Sequence, residues 1–483
     1  MRHGVQLIAY ADRFGGDLRG LRAILEGPLE GVFTGVHVLP FYRPFDGADA
    51  GFDPEDHLEV DARLGTWSDV AALGRESEVM ADLIVNHVSV RSPQFEDFIN
   101  LGDASDHAAM FLTMSSVFPV GATEHDLTRI YRPRAGLPFT PYLVRGTERR
   151  LIWTTFTERQ ADIDIAQPES VAYLQAILQL MAASGVTAVR LDAVGYAVKR
   201  PGTSCFMLPE TFAFISSLSR LAKDLGIVVL VEIHSHYRTQ LAISRQVDYT
   251  YDFALPPLLL HALFTTDLVP LVRWLGVRPP NVVSVLDTHD GIGVMDVGAD
   301  RAGDDGQGLL DDGQIDALVQ AIHRNTEGAS ESATGSAASN LDLYQVNSTF
   351  YDALGRNEER YLLARAVQFY LPGVPQVYYV GLLGGANDVE LLARTGVGRD
   401  VNRHHYTESE IDVALESSVV QRLLSLIRFR NGHPAFDGEF SWEQRATTVI
   451  AFRWQHHEHA TELIANFDDG TFERVSTGVD SYA

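Results

Sequence analysis

The stretch Val186-Thr187-Ala188-Val189-Arg190-Leu191-Asp192-Ala193 decides the reading of this chain. It is a short, mostly apolar run of the kind that forms a buried strand, yet it ends on charged residues. Alternation puts Arg190 and Asp192 on one face and Val189 and Leu191 on the other. If the aliphatic face meets helices, the charged face points into the mouth of a closed sheet. Seven further runs share this character: Val5–Tyr10, Gly35–Pro40, Val79–His87, Ile227–His234, Val247–Ala254, Asn281–Asp287 and Pro375–Gly381. Helix-like stretches such as Ser170–Ser184 and Glu358–Tyr370 separate them. Eight strands alternating with helices predict an α/β fold, a (β/α)8 TIM barrel. A doubly wound open sheet is the alternative, weakened because no G-x-G-x-x-G follows the first run.

Two connections are too long for simple strand–helix units, which predicts inserted subdomains at 88–167 after the third strand and 291–355 after the seventh. The barrel then occupies 1–87, 168–290 and 356–435. Phe440–Trp442, Thr447–Trp454 and Leu463–Phe467 read as antiparallel strands of a small C-terminal β domain at 436–483. The Ser/Gly/Ala tract at 328–339 reads as a flexible loop.

The 483 residues carry a net charge of −26, which disfavours nucleic acid and anionic membrane as partners. The single cysteine, Cys205, excludes an intramolecular disulfide and reads as a small buried group. No run has the length of a membrane span or the form of a signal peptide, so the cytoplasm is the expected compartment.

Catalytic groups of a parallel barrel gather at the carboxyl ends of its strands. Four run ends carry them: Asn86-His87, Arg190-Leu191-Asp192, Glu232-Ile233-His234 and Asp287-Thr288-His289-Asp290. Arg190 beside Asp192 is expected to keep that carboxyl ionised, as a nucleophile requires. Glu232 follows Leu230-Val231, and an apolar setting is expected to raise its pKa, as a general acid requires. Two carboxyls in opposed environments point to glycoside bond cleavage. A set of structural ion pairs on the barrel rim is the alternative. His234-Ser235-His236 also admits a zinc reading.

Ala81–His87, Val189–Tyr196, Val231–His234 and Val285–Asp290 resemble the four signature regions of the α-amylase superfamily (glycoside hydrolase family 13), in the same order. Pro44–Asp56, Tyr131–Thr140, Asp252–Leu263, Ser339–Thr349, Gln368–Gly381 and Gly398–His404 resemble the sucrose phosphorylase group within it. The resemblance implies that Asp192 is the nucleophile, Glu232 the acid and base, and Asp290 the transition-state stabiliser. It implies a glucose subsite of Asp49, Phe52, His87, Arg190, His289 and Arg399. It places Tyr131, Arg134, Tyr196, His234, Leu341, Asp342, Tyr344 and Gln345 on the side where fructose leaves and phosphate enters. No metal and no cofactor is implied. Sucrose and inorganic phosphate are the implied substrates, and a homodimer is the assembly to test.

Arg134 can clamp phosphate through two charge-assisted hydrogen bonds, with the Tyr344 hydroxyl as a further donor. Fructose and phosphate must share one pocket, which predicts a loop that changes conformation, hinged in the tract before Asn340. Phosphorylases of sucrose 6′-phosphate, glucosylglycerol or glucosylglycerate stay open as readings, as does a sucrose hydrolase or transglucosidase. The nearest cations flanking Leu341–Gln345 are Arg324 and Arg356, which favours plain sucrose over a phosphorylated sugar. From other classes, a metal-dependent barrel hydrolase and a non-catalytic sugar-binding protein complete the set.

Overall fold

The computed structural model describes residues 1, 3–47, 49–132, 136–299, 306–335 and 345–477. All eight expected runs are strands, and they close on themselves. They are β1 (Gln6–Ala9), β2 (Gly35–Val38), β3 (Glu78–Ile84), β4 (Val186–Asp192), β5 (Val228–Val231), β6 (Tyr249–Asp252), β7 (Val282–Ser284) and β8 (Val374–Tyr378). Each pairs in parallel with its sequence neighbours, and β8 returns to β1. The open-sheet alternative is thereby set aside. The expected helices form at Pro168–Ala183 and Glu358–Tyr370, the first with proline in its opening turn, where a missing N–H costs nothing.

The register explains the interior. Arg190 on β4 is the partner of Asp82 on β3, so their side chains project inward together. Val189 and Leu191, on the other face, are fully buried in the apolar core. The segment after β3 carries its own apolar cluster of Val88, Phe95, Phe98, Met110, Phe111, Val144 and Ile152. Its strand Gln160–Asp162 pairs antiparallel with His87–Ser89. A wholly buried ammonium ties this segment to the barrel. Lys199 Nζ lies 2.5 Å from Asp162 Oδ2 and 2.6 Å from Asn86 Oδ1, and also donates to the Tyr196 carbonyl. Cys205 is buried beside Trp153 and Phe118, as its sequence context suggested.

The C-terminal sheet has four antiparallel strands rather than the three expected: β9 (Glu439–Ala446), β10 (Val449–His456), β11 (His459–Asn466) and β12 (Thr471–Thr477). It is fixed to the barrel by Trp454, whose indole donates to the Tyr370 carbonyl at 2.6 Å, and by Tyr370 hydroxyl against Thr461 Oγ1 at 2.6 Å. A second correction concerns the tract at 328–339. Residues Ala329–Gly335 are helical, not loop, and Ser330 within them is buried against Thr326 and His323. Small side chains let this helix approach Gly398 so closely that a Cβ there would strike the Ala333 carbonyl. Residues 336–339 of the tract lie outside the described ones.

Among the described residues no helix is long and apolar enough to cross a membrane. The buried Arg365 holds Asp287 through Nη2, at 2.8 and 2.7 Å from the two carboxylate oxygens, just beyond β7. Removing one partner of a buried pair costs about 3–5 kcal/mol, against about 0–1 kcal/mol for an exposed one. Arg365→Met should therefore lower the apparent melting temperature several times more than Arg422→Ala, which breaks the exposed pair with Glu359. Equal melting shifts would refute the assignment of Arg365 as the anchor of this strand end.

Candidate active site

The mouth of the barrel is organised by one buried guanidinium. Arg190 is 2% exposed. Its Nη1 lies 2.6 Å from Asp82 Oδ1 and 2.9 Å from Asp192 Oδ1, and its Nη2 lies 3.9 Å from Glu232 Oε1. Asp82 is braced from behind by His37 on β2, at 3.0 Å. Adjacent strand ends thus deliver Asp192 and Glu232 to one point. The chain turns sharply after Asp192: Ala193 sits at φ 54°, and its N–H points at Glu232 Oε2 at 3.3 Å. A non-glycine residue held in the left-handed region is a local strain that the surrounding packing must sustain.

Asp290 faces this pair from beyond β7. Arg399 Nη1 lies 2.8 Å from its Oδ1, and His289 Nε2 lies 3.7 Å from its Oδ2. Asn402 and Arg403 hold the backbone there, donating to the carbonyls of Asp290 at 2.8 Å and His289 at 2.9 Å. Burial opposes ionisation of Asp290, but Arg399, protonated His289 in acid, and Arg403 hold its carboxyl far below the usual range. His289 stays neutral, because burial depresses its pKa to about 3.

Asp192 differs from the sequence expectation. Burial pushes its carboxyl well above the usual range; Arg190 pulls it down, while Glu232, Asp82 and Asp290 add to the push. Arg190 does not serve Asp192 alone, because Asp82 takes its shorter contact. Glu232 also differs in setting: polar groups surround it, with Arg190, the Ala193 N–H and His234 Nε2 at 3.6 Å, not the apolar wall expected from Leu230-Val231.

The expected glucose-subsite residues gather around these carboxyls. The Phe52 ring stacks on His289 with centroids 4.7 Å apart, and the guanidinium carbon of Arg190 lies over the Phe52 ring, 5.4 Å from its centroid. His87 Nε2 donates to the Phe52 carbonyl at 2.9 Å. Asp49 Oδ2 lies 3.4 Å from Gln160 Nε2. On the other side, Tyr131 and Tyr196 stack loosely at 6.1 Å, with Phe206 against both. His234 lies flat on Phe253 at 3.9 Å and meets Gln345 Nε2 at 3.3 Å. Arg134, Leu341, Asp342 and Tyr344 lie outside the described residues.

Glu232, His234 and Asp290 bring possible ligand atoms within 4.8 Å of one another. Positive charge at this point is already supplied by Arg190 and Arg399. The other half of the zinc reading does not converge, since His236 turns to the Gln307 carbonyl at 3.3 Å. Sequence reasoning missed Asp82, His37, Gln160, Asp296 and Arg403. An ionisable residue in mid-strand, as at Asp82 and His37, was the available signal for the first two.

Asp82 titrates where it can be tested. Burial raises its pKa, but His37 and Arg190 overcome this and bring it to about 2. An ionised Asp82 stabilises the fold above the unfolded value near 4, and the contribution disappears as pH falls toward 2. It amounts to about 2 kcal/mol. Thermal unfolding of the wild type between pH 4 and pH 2 should show this loss. Asp82→Asn, less stable at neutral pH, should show a correspondingly flatter acid limb.

The chain is similar to known proteins along its whole length. The family model described as the α-amylase catalytic domain matches residues 6–244. A sucrose phosphorylase of Agrobacterium vitis is 56% identical over 479 residues, spanning 99% of this chain and 98% of the relative. A sucrose phosphorylase of Bifidobacterium adolescentis is 55% identical, spanning 94% and 90%. A solved sucrose 6F-phosphate phosphorylase from Thermoanaerobacter thermosaccharolyticum superposes with a TM-score of 0.91 at 35% identity, covering 99% of this chain and 98% of that one.

Proposed function

The chain belongs to the sucrose phosphorylase family of the α-amylase superfamily, and from that membership we propose that it transfers the glucosyl group of sucrose to inorganic phosphate, giving α-D-glucose 1-phosphate and fructose. The observation that carries this reading is the 56% identity to a sucrose phosphorylase over 99% of the chain. The convergence of Asp192, Glu232 and Asp290 on the barrel mouth supports it.

The reaction runs as a double displacement. Glu232 gives its proton to the glycosidic oxygen as Asp192 attacks the anomeric carbon, releasing fructose and forming a β-glucosyl ester. Phosphate then attacks from the vacated side, with Glu232 taking back the proton, and the second inversion restores the α configuration. Asp192 must be ionised to attack. The two carboxyls share Arg190, and burial, with Glu232 adding to it, pushes the Asp192 carboxyl up against the pull of Arg190. The displacement requires the proton on Glu232 and the charge on Asp192. Asp290, kept ionised by Arg399, suits stabilisation of the positive charge that develops on the sugar.

Asp49, Phe52, His87, Arg190, His289 and Arg399 form the glucose subsite in this reading. Tyr131, Tyr196, His234 and Gln345 form the described part of the acceptor side. Arg134, Leu341, Asp342 and Tyr344 are assigned to it by resemblance alone. The global charge of −26 does not prevent phosphate capture, because surface charge is screened beyond about 8 Å at physiological salt while a desolvated arginine acts at contact.

Purified protein given sucrose and phosphate should form glucose 1-phosphate, and Asp192→Ala should reduce this to background. Fructose release at the same rate with and without phosphate would exclude phosphorolysis. Glu232→Ala should lose about 10²–10⁴-fold with sucrose. It should lose far less with α-glucosyl fluoride in the first half-reaction, because fluoride leaves with little help from an acid.

A further inference from the structure

The carboxylate of Asp296 is wholly buried, and its contacts converge on the loop that carries Glu232. Oδ2 lies 3.0 Å from His234 Nδ1. Oδ1 accepts from the Ser235 backbone N–H at 3.0 Å and from the Gln240 amide at 2.7 Å. A carboxylate only accepts, so His234 carries a proton on Nδ1. The other ring nitrogen is fixed independently. Gln345 Oε1 accepts from the Gly291 N–H at 3.2 Å, which turns the Gln345 NH2 toward His234 Nε2 at 3.3 Å. Nε2 therefore accepts, and the same atom stands 3.6 Å from Glu232 Oε1.

Two glycines make this approach sterically feasible. A Cβ on Gly293 would collide with Asp296 Oδ2 and lie 3.3 Å from His234 Nδ1. A Cβ on Gly291 would lie 2.7 Å from Asn347 Oδ1 and 2.8 Å from the Val346 carbonyl, spoiling the pairing of Ile292–Gly293 with Gln345–Val346.

We infer that Asp296 is a positioning residue for the proton-transfer end of the site: it locks His234 as the Nδ1–H tautomer, so that a lone pair and not an N–H faces the Glu232 carboxyl. The inference rests on Glu232 being the proton donor. A hydrogen bond to a carboxylate at Nδ1 makes the opposite nitrogen more basic. Burial lowers the pKa of His234 and Asp296 overcomes it, so the Gln345 NH2 facing Nε2 is what keeps a second proton off that nitrogen. An N–H at Nε2 would stabilise the Glu232 carboxylate and weaken Glu232 as an acid. Asparagine at 296 has one oxygen, and Ser235 and Gln240 both need it. Its NH2 must then face Nδ1, which drives the ring proton to Nε2, as carboxylate-to-amide changes do behind other catalytic histidines.

Asp296→Asn is expected to lower kcat/KM for sucrose on the order of a hundredfold, within the range of general acid catalysis. The alkaline limb of its pH profile, which reports the essential acid, is expected to move to lower pH. Glu232 is faced there by Arg190, Asp192, Tyr196, His234, Tyr251 and Asp290, and Asp296→Asn leaves all six in place. Fluoride release from α-glucosyl fluoride in the first half-reaction should stay near wild type. Equal losses with both donors, or an unmoved alkaline limb, would overturn the proposal. If Asp296→Asn does not fold, Gly293→Ala displaces the same carboxylate without changing its charge and must give the same selective loss. A wild type inactive with both donors would instead remove the reading of Glu232, and this proposal with it.

Discussion

The guanidinium of Arg190 is the interaction on which the rest of the site depends. A cation at the centre of a barrel is tolerable only when carboxylates meet it at hydrogen-bond distance, and a carboxylate there is tolerable only beside a cation. Arg190 answers to Asp82, Asp192 and, at longer range, Glu232. One positive charge among three acids leaves the group short of cations. That shortage, added to burial, is why Asp192 is pushed up even with an arginine in contact. Across the mouth, Arg399 and Arg403 surround Asp290, and its proton affinity falls far instead. The site is divided into a cation-poor half that can hold and move a proton and a cation-rich half that cannot. That division is what acid-assisted displacement at a sugar carbon requires.

The barrel was legible because a buried parallel strand has to be an almost unbroken apolar run, and eight such runs stand in the sequence. The three carboxylates were legible for the complementary reason, since a charge ending such a run has no packing role. Asp82 and His37 were harder, because their meaning lies in register: Asp82 matters through its strand partner Arg190, 108 residues away. The environment of Asp192 was misread on the same ground. Local sequence shows the neighbour two residues away and not the competing acid on the next strand. The fourth C-terminal strand, Thr471–Thr477, has only Phe472 and Val475 as apolar residues, three apart where alternation needs two, so it carries little strand signal of its own and depends on its partner β11. The helix at Ala329–Gly335 is built of the small residues that also mark flexible loops. Only its packing on Gly398 separates the two.

Groups from the inserted segment reach the barrel mouth by being tied to it. Lys199 joins Asn86, Asp162 and the Tyr196 carbonyl, three oxygens from three stretches of chain. One ammonium thereby sets the position of His87, through its neighbour Asn86, relative to Tyr196. It also anchors the strand that brings Gln160 to within 3.1 Å of His87. A surface-tethered insertion would leave these groups free to drift, and displacement of a catalytic group by an ångström is enough to cost orders of magnitude in rate.

This construction separates chemistry from choice of acceptor. Asp192 is carried on a barrel strand and Glu232 and Asp290 just beyond two others, all with buried partners. The groups assigned to the acceptor side come from connections: Tyr131 from the inserted segment, His234 from the turn after β5, and Gln345 from a two-residue strand paired with Ile292–Gly293. Loops tolerate change that strands do not. A fold arranged in this way can change the acceptor side without disturbing the three carboxylates proposed to transfer glucose. His234 is where the two parts touch, since one ring face and both nitrogens are committed to Phe253, Asp296, Gln345 and Glu232. A change of acceptor that moved this ring would alter proton transfer as well, which sets a physical limit on how far the loops can diverge while the chemistry is kept.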